Sequence, residues 1–206
     1  MKGSLDNAVK HSSTELLVTR YTKNLTKVLT QLNHQDVDLM VAMLLNLKSN
    51  NRTLFICGNG GSAANAIHLA NDYTFGVNPQ GNALNVEALA ANSSVLTCLG
   101  NDIGYENIFS HQLKVKGQTG DILLVLSGSG NSENIIKAIE EAKQKEMQTI
   151  AILGFDGGKA KNLVDLAFHF NIDDMQISED TQVILGHIIM QSLRDAVALH
   201  SADEHK

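Results

Sequence analysis

Residues 121–147, DILLVLSGSGNSENIIKAIEEAKQKEM, constrain the fold more than any other stretch of the chain. Positions 122–126 form an apolar run without a period, as expected of a strand buried on both faces of a parallel sheet. Ile135, Ile136, Ile139 and Ala142 then recur at helical spacing. The order is therefore strand, loop, helix. The loop, Ser127-Gly128-Ser129-Gly130-Asn131-Ser132, carries three hydroxyls and two glycines and opens onto the unpaired N–H groups and positive dipole end of the helix. Such a loop reads as a phosphate cradle. It holds no lysine and no G-x-x-x-x-G-K-[ST] pattern, so a small phosphorylated metabolite fits better than a nucleoside triphosphate. The plainer alternative is a βα turn that simply favours Gly, Ser and Asn.

The same alternation extends outward from this unit. Strands are expected at 53–57, 84–89, 149–153 and 165–170, with helices between them. Five strands with right-handed crossovers make an open, doubly wound parallel α/β sheet whose ligands sit beyond the carboxyl ends of the strands. Ahead of it, Leu17, Tyr21, Leu25, Val28 and Leu32 recur at steps of three and four. Asn33-His34-Gln35-Asp36 interrupts them, with Asp36 as the expected cap of a second helix carrying Val37, Met40, Val41, Leu44, Leu45 and Leu47. We divide the chain into a helical arm, 1–48, and an α/β domain, 49–206. The arm's apolar stripe packs either on its own domain or between subunits, and we favour the subunit interface.

Gly58-Asn59-Gly60-Gly61-Ser62-Ala63-Ala64-Asn65 follows the first strand and opens a helix expected to run to about Tyr73. It satisfies G-x-G-x-x-A, but Glu87 lies inside the next strand instead of at its end, where it would meet a ribose hydroxyl. A second anion-facing or substrate-facing loop is the better reading. On the following helix His68 and Asp72 are one turn apart, the spacing with which a helix presents two ligands or an acid/base pair. Gly100-Asn101-Asp102-Ile103-Gly104 reads as a polar turn after a short helix at 92–99. A last helix, 179–199, carries Glu179 and His187 two turns apart on one face.

Composition limits the partners. With 206 residues, 43% apolar and a net charge of −6, the chain has room for one sizeable core, and its charge argues against broad contact with nucleic acid or an anionic membrane. The first residues lack the apolar core of a signal peptide and no stretch is long enough to span a bilayer, so cytoplasm is the expected location. Cys57 and Cys98 fit neither a disulfide framework nor a zinc spacing, and both are expected to be buried.

Taken together, CGNGGSAANAIHLA at 57–70, GND at 100–102, GDILLVLSGSGNSENIIKAIEEAK at 120–143, GFDGGK at 154–159 and ILGH at 184–187 resemble the sugar isomerase (SIS) domain family, and within it the phosphoheptose isomerases. The resemblance implies a five-stranded α/β/α sandwich in a homotetramer with sites between subunits. It further implies conversion of sedoheptulose 7-phosphate to D-glycero-D-manno-heptose 7-phosphate, the first step toward lipopolysaccharide heptose. Carried onto this chain, Ser127, Ser129 and Ser132, with Gly128 between the first two, would hold the phosphate. Asn59, Gly60, Gly61, Asn101 and Asp102 would contact the sugar, together with Asp72 and Glu179. His68, Asp72, Glu179 and His187 would form a zinc and proton-transfer centre, with Asp72 as base, His187 as opposing acid, and His68 and Glu179 completing the metal shell.

The chain departs from the family pattern at four places. Asp72 stands where Glu is typical, Glu179 where Gln is usual, and Gly128 where Thr is usual, and no arginine follows Asp72. The first two exchanges leave open that Glu179, not Asp72, moves the proton. A related sugar phosphate as substrate stays open too, as does a non-catalytic SIS protein that binds sugar phosphates or associates with the replication initiator.

Overall fold

The computed structural model describes residues 13–81 and 83–203, so the first twelve residues of the expected arm and the last three of the α/β domain lie outside it. Five strands alternate with helices: α1 (Ser13–Leu29), α2 (His34–Ser49), β1 (Thr53–Gly58), α3 (Gly61–Asn71), β2 (Asn85–Ala88), α4 (Ser93–Asp102), α5 (Ser110–Lys116), β3 (Ile122–Ser127), α6 (Glu133–Gln144), β4 (Gln148–Leu153), α7 (Ala160–Leu163), β5 (Leu166–His169) and α8 (Met175–Asp203). All strand pairs are parallel, in the order β2-β1-β3-β4-β5. The chain reverses its direction of winding between β1 and β3, and ligands of such sheets bind in the crevice at that point. Both glycine-rich loops, after β1 and after β3, flank it.

Side chains alternate between the two faces of each strand and build two cores. Leu54, Ile56, Ile122, Leu124, Leu126, Ile150 and Ile152 face one layer formed by α2, α3 and α8. Phe55, Cys57, Leu123, Val125, Ala151 and Leu153 face the other, where Ile108, Leu113, Ile135 and Ile139 pack. Helix α2 therefore belongs to the first core: Met40 and Leu44 are fully buried there. Helix α1 is less committed. Val28 is buried, while Leu16, Leu17 and Val18 are exposed. No helix among the described residues is long and apolar enough to cross a membrane.

Several local expectations need correction. Asn33, not Asp36, caps α2, its Oδ1 accepting the Gln35 N–H at 3.0 Å. Helix α4 is capped by Asn92, whose Oδ1 accepts the Val95 N–H, and it continues through Asp102, so Gly100, Asn101 and Asp102 form its last turn and not a separate loop. The helix after the first glycine loop leaves α geometry at Asn71 and closes in a wider π-turn, Asp72–Gly76. The expected helix at 105–116 splits into a 3₁₀ turn, Tyr105–Asn107, and α5. Helix α8 starts four residues earlier than expected because Asp174 Oδ1 accepts the Ile177 N–H at 3.1 Å. Cys98 is exposed, and its hydrogen bond to Asp102 pushes the thiol pKa up. Cys57 is buried, and burial pushes its thiol up as well.

Candidate active site

The loop after β3 folds on itself. Ser127 Oγ accepts the Gly130 N–H at 3.0 Å and Ser129 Oγ accepts the Asn131 N–H at 3.3 Å, which leaves both O–H groups free to donate to an anion. Ser132 is the N-cap residue of α6 yet makes no side-chain cap bond, so its hydroxyl is free too. The turn at 154–159 buttresses this loop: Ala160 N–H donates to Gly130 O and Lys159 N–H to Asn131 Oδ1. A Cβ on Gly130 would overlap Gly157 O, and Gly130 sits at φ +64°. Three hydroxyls and a helix N-terminus thus share one rigid concavity, which is suited to a phosphate.

The loop after β1 lies across the crevice. Asn59 and Asn134 exchange amide hydrogen bonds at 2.9 and 2.8 Å, and Asn59 Oδ1 also accepts from Tyr105 OH at 2.9 Å. This pair ties the two loops together. Gly60 turns the chain at φ +55° into α3.

The first turn of α8 runs over these loops. Met175 lies against Gly128, Ser178 against Gly154, and the Glu179 carboxylate against Gly61; a Cβ at any of the three glycines would overlap the side chain above it. From there α3 and α8 run side by side in the same direction. Asn65 Nδ2 donates to Glu179 O and to Gln182 Oε1, both at 3.0 Å, and buried Gln182 Nε2 donates to Ser62 Oγ at 3.0 Å. About one turn past Asn65 and Gln182, Leu69 packs against Gly186, and Tyr73 OH donates to Gly186 O.

That register brings His68 to His187. Their Nε2 atoms are 2.8 Å apart with the rings at 79°, and Asp72 Oδ2 lies 3.5 Å from His68 Nε2 and 3.3 Å from His187 Nε2. Two ring nitrogens and a carboxylate oxygen pointing at one spot form a donor set that attracts a cation. Two edges of this triangle, 3.3 and 3.5 Å, suit a shared ion, while the 2.8 Å between the ring nitrogens is a hydrogen-bond distance. With zinc–ligand bonds of about 2.0–2.1 Å, two corners of a tetrahedron lie about 3.3 Å apart. Nitrogen and oxygen donors in this number suit zinc with further positions left open.

Glu179 does not join them. It lies eight residues before His187, about 12 Å along the helix axis, and its carboxylate rests on Gly61 instead. Of the four expected centre residues, one chain gathers three. The cradle serines and Asn59, Gly60 and Gly61 all line the crevice, while Asn101 and Asp102 lie exposed at the end of α4, their side chains bonded to each other at 2.7 Å. Sequence reasoning missed Asn134, Tyr105, Asn65 and Gln182. A polar residue at a core-facing helix position was the available signal for Asn134 and Gln182, both buried.

Comparison with known proteins agrees with this fold. The SIS domain family matches residues 20–154. A phosphoheptose isomerase of Nitratiruptor sp. is 35% identical over 181 residues, covering 88% of this chain and 95% of the relative. One of Helicobacter pylori is 36% identical over 165 residues, covering 80% and 84%. Among solved structures, a phosphoheptose isomerase from Neisseria gonorrhoeae superposes with a TM-score of 0.81 at 28% identity, covering 88% of this chain and 98% of that one. A second, from Francisella tularensis, shares the fold with a TM-score of 0.83 at 24% identity, covering 89% and 99%.

Proposed function

Since the chain belongs to the SIS domain family, and within it to the phosphoheptose isomerases, we propose that it interconverts sedoheptulose 7-phosphate and D-glycero-D-manno-heptose 7-phosphate, feeding lipopolysaccharide heptose. The observation that carries this is the meeting of His68, Asp72 and His187 on two helices whose other ends reach the phosphate cradle. A protein that only bound sugar phosphate would need the cradle but not that cluster.

Ser127, Ser129, Ser132 and the N-terminus of α6 hold the phosphate, and Asn59, Gly60 and Gly61 face the sugar across the crevice. Asn101 and Asp102, at the end of α4, would contact the sugar as well. His68, Asp72 and His187 would hold a zinc ion, which when bound would polarise carbonyl and hydroxyl oxygens. The protein works in the cytoplasm as a homotetramer. Exposed Leu16, Leu17 and Val18 on α1, and Ile67, Phe75 and Ile188 near the histidine cluster, support an assembly that covers both faces.

Turnover of sedoheptulose 7-phosphate by the purified protein, with ketohexose phosphates as controls, tests this reading. Conversion of the heptulose phosphate alone is expected. Preference for a hexulose phosphate would move the substrate assignment, and tight binding without any turnover would favour the non-catalytic alternative.

A further inference from the structure

Behind the phosphate cradle, one residue holds a backbone shape that its type rarely takes. Phe155, second in the turn at 154–159, sits at φ +42°, in the left-handed region where a bulky L side chain is strained. The turn touches the cradle along its length. Gly154 N–H donates to the carbonyls of Ser127 and Gly128 at 3.2 and 3.1 Å, a Cβ on Gly158 would overlap Ser129 O, and the N–H groups of Ala160 and Lys159 hold Gly130 O and Asn131 Oδ1. Relaxation of Phe155 toward an ordinary φ would therefore move the loop that carries the hydroxyls. Two contacts oppose it. The Phe155 N–H donates to Ile172 O at 3.1 Å, and its carbonyl lies 3.0 Å from His169 Nε2.

The partners of His169 fix its tautomer. Phe155 O can only accept, so Nε2 carries the proton; the Lys161 ammonium, 3.0 Å from Nδ1, can only donate, so Nδ1 offers its lone pair. The ring also lies against the turn, since a Cβ on Gly157 would stand 3.3 Å from His169 Cδ2. His169 is the last residue of β5, so the edge of the sheet anchors the turn. We infer that His169 is a positioning residue for phosphate binding: by donating from Nε2 to Phe155 O, it holds the strained turn that presents Ser127 and Ser129 to the phosphate. This rests on the cradle's part in the isomerase reading. A phosphate far from the reacting carbons is held equally in substrate and transition state, so loss of His169 acts on KM and not on kcat.

Wild type, His169→Leu and His169→Gln test this, each titrated with inorganic phosphate by calorimetry and assayed for KM and kcat with sedoheptulose 7-phosphate. His169→Leu removes the donor and should weaken phosphate binding and raise KM about tenfold, with kcat within about two-fold of wild type. A glutamine amide can donate to Phe155 O and accept from Lys161, so His169→Gln should recover most of that loss. Nitrogen NMR of the wild type at about pH 8 should show His169 as the Nε2–H tautomer, a readout that needs no variant to fold. Unchanged phosphate affinity in His169→Leu, a fall in kcat at constant KM, no recovery in His169→Gln, or the Nδ1–H tautomer would overturn the assignment while leaving the isomerase reading intact. A wild type that binds no phosphate would overturn it as well. A wild type that binds phosphate yet turns over no heptulose phosphate would instead remove the isomerase reading, and the phosphate titrations would still decide the part His169 plays.

Discussion

At the scale of single residues, the glycines under α8 separate clearance from flexibility. Gly61, Gly128 and Gly154 do not adopt positive φ; they are small because a helix lies on them. The consequences of filling that space should differ. Above Gly154 sits buried Ser178, with Gly128 O also close, so Gly154→Ala should cost about 2–3 kcal/mol by overpacking. Above Gly128 sits the end of the Met175 side chain, 40% exposed and able to swing aside, so Gly128→Ala should cost under about 1 kcal/mol. Urea unfolding of both variants measures this, and equal costs would show that the clearance argument is wrong. His68 and Asp72 were legible as a pair because helical spacing is local. Glu179 and His187 looked equally close, but a shared face does not shorten the distance along the axis. The buried Gln182 bridge was hidden because its partners, Ser62 and Asn65, are over a hundred residues away.

At the scale of elements, α1 is held to α8 by Tyr21 OH, which donates to Asp180 Oδ2 at 2.6 Å. Partial burial and this bond push the Tyr21 pKa up to about 12. A phenol that keeps its proton longer in the folded chain stabilises fully below its ordinary pKa near 10, and the contribution is lost as pH rises toward about 12. Thermal unfolding should therefore show wild type falling faster than Tyr21→Phe between pH 10 and 12, with the variant about 0.5–1 kcal/mol less stable at pH 8. Parallel curves would deny the tether. Strand positions were readable because buried parallel strands are unbroken apolar runs. Helix starts were not, since those of α2 and α8 depend on which nearby Asx side chain wins the cap, here Asn33 and Asp174.

At the scale of the whole molecule, the sequence indicated a doubly wound sheet, but the order β2-β1-β3-β4-β5 required the fold, because strand order depends on which side of the sheet each crossover takes. Helix α2 illustrates the same limit. Its stripe was equally suited to a partner or to its own sheet, and packing chose the sheet, leaving α1 as the outward apolar element. If α1 joins subunits, Leu17→Glu should sediment as a smaller species than wild type in analytical ultracentrifugation. An unchanged sedimentation coefficient would assign the assembly to another face. The first turn of α8 resting on three glycines also bears on engineering. Diversity meant to retune which sugar phosphate is accepted belongs at Met175, whose side chain is partly exposed and free to change length, and not at buried Ser178 or at Glu179. The floor beneath them should be left untouched, since a library randomised at 61, 128 and 154 would spend most of its members on misshapen crevices.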